Sequence, residues 1–483
     1  MNLRLDNTLA RQLEKFRTPW KADEVPEPGL VLVNRALAGE IGLDLSGCDD
    51  AALARLFTGQ ERPGDIETVA LAYSGHQFGQ FSPLLGDGRA LLLGEIVGPD
   101  GGRRDIHFKG SGRTPYSRGA DGKCALGPAL REYVISEAMA ALSIPSTRSL
   151  AVATTGERVF RETPLPGAVL TRVAASHIRV GTFQYAAAHH GVEEVRRLAD
   201  YAIARHYPDI SGAANPCLAL LERVIEVQAA LVAKWMCVGF VHGVMNTDNV
   251  SIAGETIDYG PCAFLDDYSA NAVFSSIDHG GRYAFGNQPA ICQWNLIRLA
   301  EALGGAVIEA DADGEEKMID LLNGFGQRYE AHWLAGMRAK LGLEGEREGD
   351  MALAKALFAA MEGQGVDFTL FFRRLADVPA DGDEALHGLF NDPEAIAGWL
   401  EQWRARIAEG WGGKAAMDAV NPLYIPRNHK VEEALAAATA GDLAPFEKLV
   451  EVVTHPYAER EGLEAFAEPA PESFGKYVTF CGT

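Results

Sequence analysis

Between Gly239 and Gly260 the chain reads GFVHGVMNTDNVSIAGETIDYG, and its chemistry-bearing side chains gather at two points. His242, Asn246, Asp248 and Asn249 form the first group, and Asp258 closes the stretch. Val250 and Ile252, a turn at Ala253-Gly254, then Thr256 and Ile257 predict a loop followed by a tight hairpin. Such a hairpin would bring Asn249 and Asp258 to the same end. An amide oxygen beside a carboxylate is hard-oxygen chemistry, suited to Mg²⁺ or Mn²⁺ shared with substrate phosphates. The same residue types also suit a polar turn with capping side chains.

The spacing resembles a protein-kinase active site, in which H-R-D-x-x-x-x-N precedes a D-F-G whose aspartate holds metal. His242 to Asn249 keeps that frame, and Asp258-Tyr259-Gly260 stands in the D-F-G place. Val244 replaces the kinase catalytic aspartate, and valine can neither accept a proton nor orient a hydroxyl. Asp248 is the nearest carboxylate able to act as base. Upstream, DIHFK (105–109) is an alternating strand ending in Lys109, and Glu132 follows on a helix. Kinases use that order to fix an ammonium group against phosphates.

Two glycine-rich stretches flank Lys109: Gly86-Asp87-Gly88-Arg89, and Gly110 to Gly122 (GSGRTPYSRGADG). Either offers backbone N–H groups to phosphate or forms a plain turn, and neither fits GxxxxGK[ST]. Arg89, Arg113, Arg118, Arg172 and Arg179 all fall in this part of an otherwise acidic chain. Planar guanidinium donors suit phosphate oxygens.

The elements that must hold these groups differ between the two halves. Short β-rich runs (90–97, 105–108, 149–154 and 168–173) alternate with glycine loops, and one helix interrupts them at about 128–142. Beyond Thr182 helical stripes dominate, as in Val192, Val195, Leu198 and Ala202, then Leu218, Leu221, Ile225, Val232 and Trp235. A β-rich front and a helical back imply two lobes with a cleft between them. With 483 residues, 47% of them hydrophobic, the chain can fill two or three packed units. Its net charge of −22 argues against a general nucleic-acid binder and against docking to anionic lipid. The most apolar stretch, 218–241, is broken by Glu222, Arg223, Glu226 and Lys234 and reads as a soluble helix. The first residues lack an apolar leader, and seven scattered cysteines include no CxxC pair, so a reducing cytoplasm is expected. His189, His190 and His206 read as helix-face residues rather than a metal site.

YSGHQFGQFSP (73–83), LGDGRA (85–90), FKGSGRTPYSRGADGK (108–123), REYVISEAM (131–139), LTRVAASHIRVGTFQ (170–184), HGVMNTDN, IDYGP, DHGGRYAFGNQP and NPLYIPRNH together resemble the selenoprotein O family of kinase-like protein adenylyltransferases. The resemblance spans nearly the whole chain. It implies an α+β, bilobal protein-kinase-like fold. Residues 1–65 would be an N-terminal extension packing on the lobes, 66–170 the β-rich N-lobe, and 171–483 a helical C-lobe with the catalytic loop and a C-terminal helical extension.

The resemblance also implies an inverted nucleotide, its α-phosphate open to attack. Lys109, Arg172 and Arg179 would hold the γ-phosphate end, and Gly86, Gly88, Arg89, Asp121 and Gly122 would complete the nucleotide pocket. Glu132 would orient Lys109, Asn249 and Asp258 would bind Mg²⁺ or Mn²⁺, Asp258 touching nucleotide as well, and Asp248 would be the base. The implied reaction moves AMP from ATP to Ser, Thr or Tyr hydroxyls of proteins and releases pyrophosphate. UMP from UTP also fits, because phosphate and metal contacts do not read the base. Transfer of the γ-phosphate by an atypical kinase, and a non-catalytic nucleotide-binding pseudokinase, stay open as alternatives. The expected partners are protein substrates and a nucleoside triphosphate, with neither nucleic acid nor membrane. For Cys481, third from the end, the resemblance implies a redox role with a cysteine in the loop after the DYG motif. Cys262 lies in that region, while Phe274, Ser275 and Ser276 occupy its more distal part.

Overall fold

The protein is described by a computed structural model over residues 5–61 and 66–480, which leaves Cys481 outside the described residues. Its front half is built on antiparallel strands: β1 (Arg17–Pro19), β2 (Gly29–Val33), β3 (Val69–Leu71), β4 (Gly75–Gln77), β5 (Gln80–Ser82), β6 (Ala90–Val97) and β7 (Arg103–Lys109). β8 (Cys124–Ala125), β9 (Arg148–Phe160) and β10 (Pro164–Ala174) complete it. The main sheet runs β1-β3-β6-β7-β10-β9-β2, with β8 on β10, while β4 and β5 form a separate hairpin. Both outer strands, β1 and β2, come from the first 33 residues, so the N-terminal segment caps the two edges of the sheet.

Alternation along β7 explains how one sheet serves both core and site. Ile106 and Phe108 pack in a buried cluster with Leu37, Leu53 and Phe57 of the N-terminal helices. Asp105, His107 and Lys109 therefore project to the opposite face, as the two-residue strand period requires. The helix Leu126–Ala141 packs across that face against β9 and β10. Leu130 and Val134 are fully buried there, each contributing roughly 1.5–3 kcal/mol by leaving water. They fix the helix so that Glu132 faces β7 and β10.

Behind the sheet the chain is mostly helical, as the apolar stripes predict. The longest helices are Pro216–Val238 and Gln288–Ala310. Asn215 caps the first by accepting from the Leu218 N–H, Pro216 begins it, and Gly239 ends it at φ 72°. Asn and Pro at the start with a left-handed Gly at the stop follow the ordinary chemistry of helix ends. That last turn sends the chain into β11 (Phe240–Val241), which pairs with β12 (Ala263–Phe264). The excursion between them, 242–262, carries the predicted catalytic residues. Among the described residues no helix is long and apolar enough to cross a membrane.

The hairpin expected over 250–258 does not form. A turn is present, with the Gly254 N–H donating to Ser251 O at 3.2 Å, but the two arms do not pair with each other. Ser251 bridges Arg179 antiparallel and Thr256 bridges Ser146 in parallel. The physical reason is that both arms are buried, and the segments 145–147 and 178–180 satisfy their backbone groups instead. Alternation reveals a strand-like segment without naming its partner.

Candidate active site

Four charged side chains from distant parts of the chain meet at the inner wall of the cleft. Lys109 Nζ donates to Glu132 Oε2 at 2.6 Å and to Asp258 Oδ1 at 2.8 Å. Arg172 Nη2 donates to the same two atoms at 3.0 and 2.9 Å, and Arg172 Nε also bonds Glu132. Each cation thus holds both carboxylates. Strand register makes this possible: Lys109 lies opposite Leu170 and Arg172 opposite His107, so the two cations are diagonal neighbours on one face. Glu132 consequently orients Arg172 as well as Lys109. Burial by itself would raise the Asp258 pKa, but Lys109, Arg172 and Arg89 hold it well below the usual carboxylate range. The Asp258 backbone sits at φ 67°, a left-handed conformation that persists where the surroundings over-determine it.

Those surroundings are visible just downstream. Arg131, next to Glu132, donates through Nη2 to Cys262 O at 2.5 Å and through Nε to Gly260 O at 3.4 Å. Thr479 Oγ1, from the C-terminal tail, donates to Pro261 O at 2.9 Å. Tyr477 OH accepts from Arg131 Nη1 at 2.8 Å and donates to Glu432 at 2.6 Å. The tail also bridges Ser275 in parallel through Thr479. Three consecutive carbonyls, from the last residue of the DYG motif to Cys262, are therefore clamped, two of them by a residue that the tail braces.

Asp248 stands apart from that cluster. Its turn, Thr247–Asn249, is latched by the β4–β5 hairpin. The His76 N–H donates to Thr247 Oγ1 at 2.7 Å and the Phe78 N–H to Asn246 Oδ1 at 3.0 Å. Gln77 Nε2 donates to Asp248 Oδ2 at 3.3 Å, whereas Asp248 Oδ1 is buried with no partner in the structure. A Cβ at Gly75 would come within 2.6 Å of that oxygen, so glycine lets the hairpin close over the carboxylate. Burial pushes the Asp248 pKa up to about 6, against the downward pull of Arg179. Arg179 Nη1 donates to the Asp248 carbonyl at 2.7 Å, and its guanidinium lies 4.6 Å from the Tyr73 ring centre.

A cleft of about 760 Å³ joins these parts, lined by Gly86, Gly88, Arg89, Lys109, Asp121, Gly122, Arg172, Arg179, Asp248, Asn249 and Asp258. Of the predicted site residues within the described range, only Glu132 is off that surface, behind Lys109. Gly86 (φ 71°) and Gly88 pack so closely on the Tyr116–Ser117 segment that a Cβ would clash, at 2.4 and 2.9 Å. Asp121 accepts from both terminal nitrogens of Arg161, at 2.8 and 3.2 Å. Arg89 keeps its guanidinium without a hydrogen-bond or ion-pair partner among the described residues, facing the cleft.

The donor set fits a divalent cation. Asn249 spends its amide N–H on Val244 O at 3.1 Å, so its oxygen is turned to other uses. Asp258 Oδ1 takes the Lys109 and Arg172 bonds, and Oδ2 remains. No group of three or more His, Cys, Asp or Glu is placed to hold a metal among the described residues. Two oxygens completed by phosphates are the arrangement a Mg²⁺ or Mn²⁺ site takes when substrate supplies the rest. His189, His190 and His206 form no such group, and His206 instead bonds Ser176 at 2.8 Å.

Sequence reasoning missed several participants. His76 carried no assigned step, and the structure uses it as a bracket: Gln184 bonds His76 Nδ1 at 2.8 Å and accepts from Thr247 at 2.7 Å. Gln77, Arg131 and Tyr477 had no signal of their own beyond membership of, or distance from, the motifs. Behind the cleft, His107 and His177 stack at 3.9 Å and bond Asp87 and Asp105, a buried network that braces β7.

Comparison with known proteins is concordant along the full length. The family described as protein adenylyltransferase SelO matches residues 1–454. The chain is 58% identical over 485 residues to a protein nucleotidyltransferase YdiU of Cereibacter sphaeroides, all of both chains being covered. It is 55% identical over 490 residues to the like-named protein of Sphingopyxis alaskensis, again covering both chains. With that of Rhizobium etli it shares 53% over 489 residues, 99% of this chain and 97% of the other.

Proposed function

The chain belongs to the SelO family of protein adenylyltransferases, and we infer that it is a nucleotidyltransferase moving AMP from ATP to Ser, Thr or Tyr hydroxyls of proteins. The observation that carries this reading is the position of the available base. Val244, apolar and buried, stands where a kinase keeps its catalytic aspartate, while the carboxylate raised to about 6 is Asp248. A base of that pKa is largely ionised at neutral pH yet still able to take a proton in the transition state.

In the proposed reaction, Lys109, Arg172, Arg179 and Arg89 grip the outer phosphates of the triphosphate. Gly86, Gly88, Asp121 and Gly122 shape the rest of the pocket. The acceptor oxygen attacks the α-phosphorus, the bond from that phosphorus to the bridging oxygen breaks, and pyrophosphate departs. Asp248 takes the hydroxyl proton. A Mg²⁺ or Mn²⁺ shared by Asn249, Asp258 and the phosphates would neutralise the charge that develops on the leaving group. Glu132 keeps Lys109 and Arg172 extended into the cleft. Since these contacts grip phosphate, UTP is a second donor on the same reading. Six cysteines among the described residues are unpaired, in keeping with action in a reducing cytoplasm.

Incubation with ATP labelled at the α- or the γ-phosphate, followed by mass spectrometry of the protein acceptors, tests the reading. Label from the α-position in protein supports AMP transfer. Label from the γ-position would establish a kinase, and nucleotide binding without incorporation would leave a scaffold.

A further inference from the structure

The rim of the cleft on the Asp248 side carries a charge arrangement that nucleotide binding does not use. Trp294, on the helix Gln288–Ala310, lies between two guanidinium groups: Arg282 at 4.7 Å and Arg298 at 5.0 Å from its ring. Arg298 has one acidic neighbour, Glu301 at 2.7 Å. Arg282 has none among the described residues: its side chain makes no ion pair, the Tyr283 hydroxyl beside it is neutral, and Asp278 is occupied with the Arg282 and Tyr283 backbone N–H groups. Two like charges on one indole with a single carboxylate nearby leave an unbalanced positive spot. In a chain of net charge −22 such a spot is unusual.

Its position links it to the acceptor. Arg282 packs against Gly79 at the tip of the β4–β5 hairpin, 3.8 Å from where a Cβ would stand. Two residues back along that hairpin, Gln77 touches Asp248. Tyr283, the neighbour of Arg282, donates from its hydroxyl to Asn246 Oδ1 at 2.6 Å. Phe78 and Gly79 form the turn of that hairpin, at φ 51° and 82°, so Arg282 at its tip lies only two hairpin residues beyond the one that touches Asp248, within reach of an acceptor side chain two or three residues from its reacting hydroxyl. Apolar side chains flank the same mouth, with Phe81 45% and Ile277 47% exposed.

We propose that Arg282 and Arg298, held on Trp294, form a docking site for an acidic side chain two or three residues from the acceptor hydroxyl of the protein substrate. The assignment of that hydroxyl rests on the nucleotidyltransferase reading. Charge complementarity selects the occupant: a guanidinium without an acid takes a carboxylate with two parallel N–H···O bonds. A basic segment would be repelled here.

The test separates docking from chemistry. Two fluorescein-labelled Tyr-centred decapeptides, differing only by Glu or Gln at the second and third positions on both sides of the tyrosine, are titrated by anisotropy against the full chain. A non-hydrolysable ATP analogue and Mg²⁺ are present. The Glu peptide is expected to bind about tenfold or more tightly than the Gln peptide, the scale of one charge-assisted hydrogen-bonded pair, with the preference fading in high salt. Arg282→Gln and Arg298→Gln are each expected to remove most of that preference while leaving affinity for the ATP analogue unchanged. Arg282→Glu is expected to transfer it to a Lys-substituted peptide. Equal binding of the Glu and Gln peptides, or a preference untouched by all three variants, overturns the docking site. Because binding is read without turnover, absence of α-label transfer in a parallel assay would sink the reaction and leave the docking result standing.

Discussion

Replacing Asp248 by asparagine should abolish transfer and yet make the protein more stable at alkaline pH. The Asp248 carboxyl is almost wholly buried, one oxygen lacks a partner, and its pKa rises from an ordinary 3.8 to about 6. Folding therefore favours the protonated form. The penalty for ionising it is small below pH 4, grows between the unfolded pKa of 3.8 and the folded one of about 6, and is complete above about 7. A displacement of about two pH units at ~1.4 kcal/mol each gives a penalty of about 3 kcal/mol. Asparagine keeps the shape and cannot ionise, so that amount should be recovered at pH 8 and about half of it at pH 5. Unfolding entropy of ~2 cal/mol/K per residue over the 483-residue chain amounts to ~1 kcal/mol/K, so the melting temperature should rise by about 3 °C at pH 8. Differential scanning fluorimetry across pH 5 to 8 reads this directly. In the wild-type protein, kcat should climb as pH passes about 6, because the base must be ionised to work. A variant that melts at or below the wild-type temperature at pH 8, or whose gain is the same at pH 5 and pH 8, would refute the assignment of a desolvated, buried base.

Three further outcomes follow from the same geometry. Lys109→Ala removes one of the two cations holding Glu132 and Asp258; it should reduce kcat/KM for α-label transfer by at least about a hundredfold and lower stability by roughly 3–5 kcal/mol, checked by thermal melts. Asp258→Ala should abolish metal uptake, read as loss of the bound Mn²⁺ signal in electron paramagnetic resonance titrations with an ATP analogue, while the protein stays folded. Tyr477→Phe with Thr479→Val loosens the clamp on residues 260–262. Each lost bond is worth ~1 kcal/mol, so the Mn²⁺ titration should weaken several-fold and backbone hydrogen exchange around 258–262 should quicken.

Much of this site could be read before any fold was known. The frame His242–Asn249, the Asp258-Tyr259-Gly260 triplet, Lys109 at a strand end and Glu132 on a helix are local patterns of residue type and spacing. The strand β6 followed from a β-rich run, β7 from alternation and the Leu126–Ala141 helix from helical periodicity, within a few residues at their ends. Local patterns carry such information because backbone period and side-chain chemistry are short-range properties.

What tertiary structure alone decided was partnership and burial. The arms around Ala253-Gly254 looked like a hairpin, and only the packed chain revealed that 145–147 and 178–180 bind them. Arg172 was read as a phosphate ligand, and only its diagonal seat beside Lys109 exposed its grip on Glu132 and Asp258. Nothing in the letters shows that Asp248 is buried; the hairpin that closes over it at Gly75 desolvates the carboxyl and raises its pKa, against the Gln77 hydrogen bond, which lowers it. Sequence lists which groups are present and their order along the chain. Desolvation and ion pairing depend on distances through space between segments as far apart as Arg131 and Tyr477, and these exist only once the chain has folded.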